Sequence, residues 1–168
     1  MAKVAVIIDD LFEDSEYTGP AEAFKDAGHQ LIHIGKEKGR KVEGKKDKTP
    51  VSIDVSIDHA NANDYDALLI PGGYSPDKLR ADPNAVNFAK SFMDANKPVF
   101  SICHGAQLLI SADALRNRKA TGWKSIKQDI KNAGAEFLDE EVVVDRNLVT
   151  SRQPSDIPAF NKACLKLL

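Results

Sequence analysis

The chain has 168 residues, of which 42% are hydrophobic and 29% are charged, which suits one globular domain with its own core. Lys and Arg number 23 against 25 Asp and Glu, a formal net charge of -2, so the chain lacks the positive excess that nucleic acid binding requires. The opening residues MAKVAVIIDDLFED reach acidic side chains too early for a signal peptide or a membrane span, which predicts a cytoplasmic protein with no membrane partner.

The first predicted elements are a parallel strand and a helix. Residues 3–9 form a β-branched run that ends in acids, which is typical of a buried parallel strand. Residues 15–27 favour a helix, with Ser15 as its N-cap, Pro20 close to its first turn and Gly28 just beyond its end.

The same criteria predict three more strands, three more helices and a late hairpin. These are strands over residues 30–35, 65–71 and 98–103, helices over 84–95, 104–114 and 156–168, and a hairpin over 142–150 that turns at 145–147. Strands that alternate with helices indicate an α/β fold, a three-layer α/β/α sandwich with a mainly parallel central sheet.

Residues 36–48, KEKGRKVEGKKDK, carry seven basic and three acidic side chains and almost nothing apolar. Such a segment is solvated and forms an exposed excursion or hairpin. It could attract an anionic partner. The favoured interpretation is a solvated loop that keeps an edge strand from pairing with other chains.

Cys103 ends a predicted strand and is followed at once by His104, Gly105 and a predicted helix. A cysteine in a tight strand-to-helix turn has the geometry of a nucleophile elbow. The unpaired N–H groups and the dipole of the helix would lower the thiol pKa and stabilise an oxyanion. The alternative is an inert buried cysteine, which would not need the His-Gly pair that follows.

Two further features are expected beside Cys103, because the carboxyl ends of parallel strands meet at one edge of the sheet. Gly72 and Gly73 follow a predicted strand and can offer N–H groups to an oxyanion hole together with the amide of His104, although an ordinary turn explains them too. Glu13 follows the first strand, and a carboxyl group there would share a proton with the sulfur. An acid that only favours the start of a helix is nearly as good an explanation.

No histidine follows His104, so the distant histidine base of papain-like enzymes and glutaminases is excluded. Any Cys-His partnership must use His104. Cys103 and Cys164 are expected to be free thiols, and without histidines at ligand spacing they make no structural zinc site. We expect neither a metal nor a cofactor.

Four stretches carry a family resemblance: SICHGAQLLISADALRNRKAT, ALLIPGG, FED near the start and LVTSRQPSDIPAF near the end. Together they resemble the PfpI-type intracellular cysteine peptidase family over essentially the whole chain, and its bacterial general stress protein branch in particular. That family belongs to the superfamily of the parkinsonism-associated deglycase. The resemblance implies a flavodoxin-like fold of the class I glutamine amidotransferase type.

The resemblance also implies roles for individual residues. Cys103 matches the nucleophile, Glu13 the acid that touches it, and His104 the neighbouring histidine, while Gly73 and His104 match the backbone donors of the oxyanion hole. Asp77 takes the place, often held by glutamate, of an acid that orients the histidine from the adjacent subunit in the peptidase branch. A homodimer or larger homo-oligomer is therefore expected.

Three functions follow as hypotheses. The first is a stress-response enzyme that uses Cys103 on glyoxals or on early glyoxal adducts of amines and thiols. The second is an intracellular cysteine peptidase, which the short Asp77 side chain and the position of His104 make less favourable. The third is a redox sensor or holdase chaperone that works through cysteine oxidation, or a binding module with a vestigial site.

Overall fold

The computed structural model describes all 168 residues, and a seven-stranded sheet forms its centre. The strands are β1 (Lys3–Ile7), β2 (Gln30–Gly35), β3 (Lys41–Glu43), β4 (Pro50–Ser52), β5 (Val55–Ser56), β6 (Ala67–Ile70), β7 (Val99–Ile102), β8 (Lys119–Ala120), β9 (Glu136–Phe137), β10 (Val143–Asp145) and β11 (Leu148–Ser151). The helices are α1 (Asp14–Asp26), α2 (Ser75–Leu79), α3 (Pro83–Asp94), α4 (Ala106–Ser111), α5 (Lys127–Asn132) and α6 (Ile157–Leu167). No helix combines the length and apolar character needed to cross a bilayer.

The strands of the large sheet lie in the order β10-β11-β7-β6-β1-β2-β5. All neighbours are parallel except the hairpin of β10 and β11. The chain leaves β1 towards β2 on one side and returns to β6 on the other, so the direction of strand addition reverses at β1. In sheets of this kind ligands bind beyond the carboxyl ends of the strands at that reversal.

Helices cover both faces of the sheet, and the side chains of β1 show the division. Val4 and Val6 pack in the layer that contains α1 and α6, whereas Ala5 and Ile7 pack in the layer that contains α3, α4 and α5. Parallel strands covered on both faces are apolar on both faces, as the sequence of β1 is. The predicted three-layer α/β/α sandwich is confirmed.

Several local predictions were wrong. Ser15 does not cap α1, whose N-cap is Glu13 without a side-chain hydrogen bond, and Pro20 lies in the middle of the helix rather than near its first turn. The helix predicted over residues 104–114 instead begins as the 3-10 turn Cys103–Gly105 and ends at Ser111. The late hairpin is confirmed, with Arg146 in its turn at φ 55°.

The basic segment is more than a solvated loop, so the favoured interpretation of it was incomplete. Its strand β3 pairs with β4, and Val42 is buried in the same core cluster as Val51 and Ile53 on the α1 side of the sheet. The sequence does not reveal this burial, because Val42 is a single apolar residue among charged ones and a strand of three residues is too short to show an alternating pattern.

Replacement of Phe100 tests the packing between the sheet and α1. Phe100 lies in β7, is completely buried and packs edge-on against Phe24 of α1 with ring centroids 5.7 Å apart. We expect Phe100→Ala to lower the free energy of unfolding by about 3–5 kcal/mol, measured by urea unfolding. Val144→Ala, at a position that is 52% exposed, is the control and should change stability by less than about 0.5 kcal/mol. Equal losses in the two variants would contradict the described core.

Candidate active site

Cys103 directly follows β7 and adopts a left-handed backbone conformation with φ 60°. This conformation costs a residue with a Cβ atom about 1–2 kcal/mol, so the surrounding structure must hold it in place. Its carbonyl accepts a hydrogen bond from the Trp123 N–H at 3.1 Å, and only 9% of the residue is exposed. The turn therefore has the strained strand-to-helix geometry that the sequence predicts for an elbow.

Glu16 is the acidic group beside the sulfur. It is completely buried in the first turn of α1, and its Oε1 accepts a hydrogen bond of 3.0 Å from the Gly72 N–H. Its Oε2 is buried without a hydrogen-bond partner, and a Cβ atom at Gly72 would collide with both Glu16 Oε1 and Cys103 Cβ, so the carboxyl group lies next to the Cys103 side chain. A thiol and a carboxyl group this close together titrate as a coupled pair.

The electrostatic surroundings keep Glu16 protonated at neutral pH. Burial and the like charge of Glu13 raise the pKa of Glu16 to about 8. Burial raises the pKa of the Cys103 thiol, as does the charge of Glu16 when it is ionised, while the amides of His104 and Gly73 lower it. The expectation of a lowered thiol pKa was therefore wrong, because the cost of burying a thiolate exceeds the effect of the amides. Below the pKa of Glu16 its charge is absent, and its carboxyl O–H can donate to the sulfur instead.

The expectation that Glu13 touches the sulfur was wrong. Its carboxylate lies at the rim of the site, where Oε2 is 2.8 Å from Lys45 Nζ and Oε1 is 3.4 Å from Lys46 Nζ. Glu13 precedes the helix, whereas Glu16 lies within it on the buried face that also carries Phe24. An acid at helical spacing within an apolar face was the signal in the sequence for Glu16.

The two glycines after β6 have different roles. The N–H of Gly73 interacts with the sulfur and lowers the pKa of the Cys103 thiol. Gly73 has φ 78°, and a Cβ atom there would collide with the backbone of Glu13. The N–H of Gly72 is taken by Glu16, so its predicted place in the oxyanion hole was wrong, and it holds the acid instead.

The ring of His104 lies beside the sulfur. Its Nδ1 is 3.4 Å from Cys103 Sγ and its Nε2 is 3.4 Å from Ser125 Oγ. Burial and the charge of Lys45 lower the pKa of His104, so the ring is neutral at pH 7. Asp77 is exposed on α2 and its charge raises that pKa, but it makes no hydrogen bond to the ring within the chain.

These groups line a cavity of about 430 Å³. Its lining residues are Glu13, Glu16, Lys45, Lys46, Gly73, Tyr74, Cys103, His104, Trp123 and Pro154. The sequence pattern does not predict the two lysines, the two aromatic residues or Pro154, because only the folded chain brings residues 45 and 154 to the same edge of the sheet. No cluster of three or more His, Cys, Asp or Glu side chains is arranged to hold a metal ion.

The model of the DJ-1/PfpI family matches residues 2–167. The chain belongs to the DJ-1/PfpI family. This confirms the resemblance found in the sequence. Individual relatives within this family carry different functional names.

Three relatives match almost end to end. General stress protein 18 of Bacillus subtilis is 60% identical over 99% of this chain and 97% of its own length. Protein/nucleic acid deglycase 2 of Escherichia coli is 58% identical, again over 99% and 97% of the two chains. The putative cysteine protease YraA of Bacillus subtilis is 51% identical over 99% of this chain and 98% of its own.

Solved structures of the family share the fold. A two-domain protein from Anabaena variabilis with DJ-1/ThiJ/PfpI-like and ferritin-like domains superimposes with a TM-score of 0.96 at 42% identity. This chain is covered to 99% and spans 48% of that longer protein. DJ-1 of Schizosaccharomyces pombe gives a TM-score of 0.86 at 27% identity, over 98% of this chain and 90% of its own.

The raised pKa of Glu16 predicts a pH-dependent cost to stability. Between the ordinary pKa of 4.5 and about 8 the unfolded state loses this proton while the folded state keeps it, so rising pH favours unfolding. Glu16→Gln removes the titrating group and keeps an oxygen for the Gly72 N–H. We expect the variant to gain stability over the wild type by a few kcal/mol, at about 1.4 kcal/mol per pH unit, between pH 5 and pH 8.

Urea unfolding of both proteins at the two pH values, followed by the fluorescence of Trp123, measures the gain. Glu22→Gln removes a carboxyl group from the exposed face of the same helix and is the matched control. A stability difference between Glu16→Gln and the wild type that is the same at pH 5 and pH 8 would contradict a raised pKa at Glu16.

Proposed function

We propose that this DJ-1/PfpI family protein is a cysteine-dependent enzyme of the glyoxalase or deglycase type, acting on glyoxals or on their early adducts with amines and thiols. The observation that carries the proposal is the pairing of Cys103 with the buried, proton-holding Glu16 in one small cavity. The stress protein and deglycase relatives at 60% and 58% identity support it.

In the first step Cys103 Sγ bonds to the aldehyde carbon of a glyoxal. The Cys103–Glu16 pair reacts in its singly protonated form, and the one proton that it holds passes to the aldehyde oxygen, which gives a hemithioacetal and leaves Glu16 as a carboxylate. The N–H groups of Gly73 and His104 lie beside the sulfur and can stabilise negative charge on that oxygen as the bond forms.

In the second step the hydrogen on the thioacetal carbon moves as a proton to the neighbouring carbonyl carbon through an enediol. Glu16 in its carboxylate form takes this proton and returns it to the adjacent carbon, which leaves a thioester of a 2-hydroxy acid. Water then hydrolyses the thioester, releasing the acid and the free thiol. His104 is neutral and its Nδ1 is 3.4 Å from the sulfur, which suits it to accept the proton of that water.

Peptide hydrolysis is the second candidate. The same 3.4 Å approach of His104 Nδ1 to the sulfur and the 51% identical putative cysteine protease favour it. It would require the Asp77 carboxylate of a second copy of this chain to orient His104, and therefore a homodimer. This mechanism leaves Glu16 without a role, which is why we place it second.

Formation of lactate from methylglyoxal, in a buffer free of amines and thiols, tests the proposal. We expect Cys103→Ala to abolish turnover because Cys103 supplies the one thiol that lines the cavity. Glu16→Gln should lower kcat by about 10²–10⁴-fold, the usual contribution of a general acid–base. Glu13→Gln is the matched control, one helical turn away at the rim, and should lose far less.

Two results would overturn the assignment. Lactate formation by Cys103→Ala at the wild-type rate would show that the sulfur is not the nucleophile. Cleavage of fluorogenic peptides by the wild type, with no lactate formed, would transfer the assignment to the peptidase.

A further inference from the structure

The mouth of the cavity carries more positive charge than its own carboxylate neutralises. Lys45 Nζ and Lys46 Nζ share the single carboxylate of Glu13, at 2.8 Å and 3.4 Å. At pH 7 Glu16 is protonated, His104 is neutral and the thiol keeps its proton. The charged side chains that line the cavity are then Lys45, Lys46 and Glu13. One positive charge is therefore left over for a ligand.

The lysines are held in position by their backbone. The carboxylate of Asp14 accepts hydrogen bonds of 3.0 Å from the N–H groups of Lys46 and Thr49, which fixes the turn between β3 and β4 against α1. Any Cβ atom at position 44 would collide with that carboxylate, so the turn requires Gly44. A turn fixed in this way spares a bound anion the cost of ordering the backbone that carries the two lysines.

The two lysines differ in how firmly they are bound. Lys45 is 30% exposed, and its ammonium group lies 5.4 Å from the centroid of the Tyr74 ring. The charge of Lys45 acts on His104 at the floor of the cavity, because it is the second cause, next to burial, of the lowered pKa of His104. Lys46 is 67% exposed and makes the longer contact with Glu13, so it is the more available of the two.

We propose that the cavity selects glyoxals and glyoxal adducts that carry a second, anionic group, and that Lys46 together with Lys45 binds that group while Cys103 attacks the carbonyl. This inference rests on the proposed function and adds a substrate class to it. A carboxylate or phosphate suits the site because either can replace one oxygen of Glu13 with a charge-assisted hydrogen bond. The 430 Å³ of the cavity leaves room for a substituent beyond a three-carbon dicarbonyl.

Phenylglyoxal and 4-carboxyphenylglyoxal form a matched pair of probes that differ by one carboxylate. For the wild type we expect kcat/KM to be higher for the carboxylated compound by about tenfold or more, the factor that one charge-assisted hydrogen bond provides. The ratio should fall towards one in Lys46→Gln and in Lys45→Gln, and it should also fall as salt is added.

Lys41→Gln is the control variant, because Lys41 is exposed on β3 of the same hairpin and does not line the cavity. It should keep the wild-type ratio. A ratio of one or less in the wild type, or an equal fall in Lys41→Gln, would overturn the anion site. No turnover of either compound by the wild type would instead refute the proposed function, which keeps the two failures distinct.

Inhibition of phenylglyoxal turnover at constant ionic strength distinguishes the two kinds of anion. Stronger inhibition by inorganic phosphate than by acetate would assign the site to phosphoryl groups, and the reverse order would assign it to carboxylates. In either case the inhibition should weaken in Lys46→Gln. Inhibition by both salts no greater than that by chloride would contradict the proposal.

Discussion

Glu16 has a carboxyl group with no exposed surface, and this group lies beside the thiol of Cys103. The arrangement at the C-terminal ends of the parallel strands depends on this burial. An ionised carboxylate in that place would be costly, so Glu16 keeps its proton and offers it to the sulfur. Gly72 supplies the hydrogen bond that holds the acid, and the turn at Cys103 accepts an unfavourable backbone conformation to bring the thiol to it. The segments that follow β1, β6 and β7 thus supply Glu16, Gly72 and Cys103, which lie together around the proton of the Glu16 carboxyl group.

Two glutamates at the start of α1 lie in different environments. Glu13 precedes the helix and is ion-paired with lysines at the rim, whereas Glu16 faces inward and is neutral at pH 7. This separation by one helical turn places a protonated acid at the floor of the cavity and an ion-paired acid at its mouth. Environment rather than residue type decides which carboxyl group serves acid–base chemistry.

The order of strands and helices, the cysteine elbow and the family could be predicted because they depend on local patterns: β-branched runs, a Cys-His-Gly turn and matching motifs. The choice between Glu13 and Glu16 could not be settled by a motif, since both follow β1 and both are buried, and only the folded chain shows which one lies beside Cys103 and which one meets the lysines. The role of the basic segment depended on a backbone contact between Asp14 and residues 46 and 49, which charge composition does not reveal. Long-range contacts of this kind account for most of what the sequence analysis missed.

The shared proton is tested most directly by the rate at which iodoacetamide alkylates Cys103 as a function of pH, in the wild type and in Glu16→Gln. Cys164 is completely buried, and Cys103→Ala supplies the baseline. An ionised Glu16 raises the pKa of the Cys103 thiol, and a glutamine at this position carries no charge, so the rise in rate should move to lower pH in Glu16→Gln. Profiles that superimpose, or a shift to higher pH, would contradict the pairing of Cys103 with Glu16.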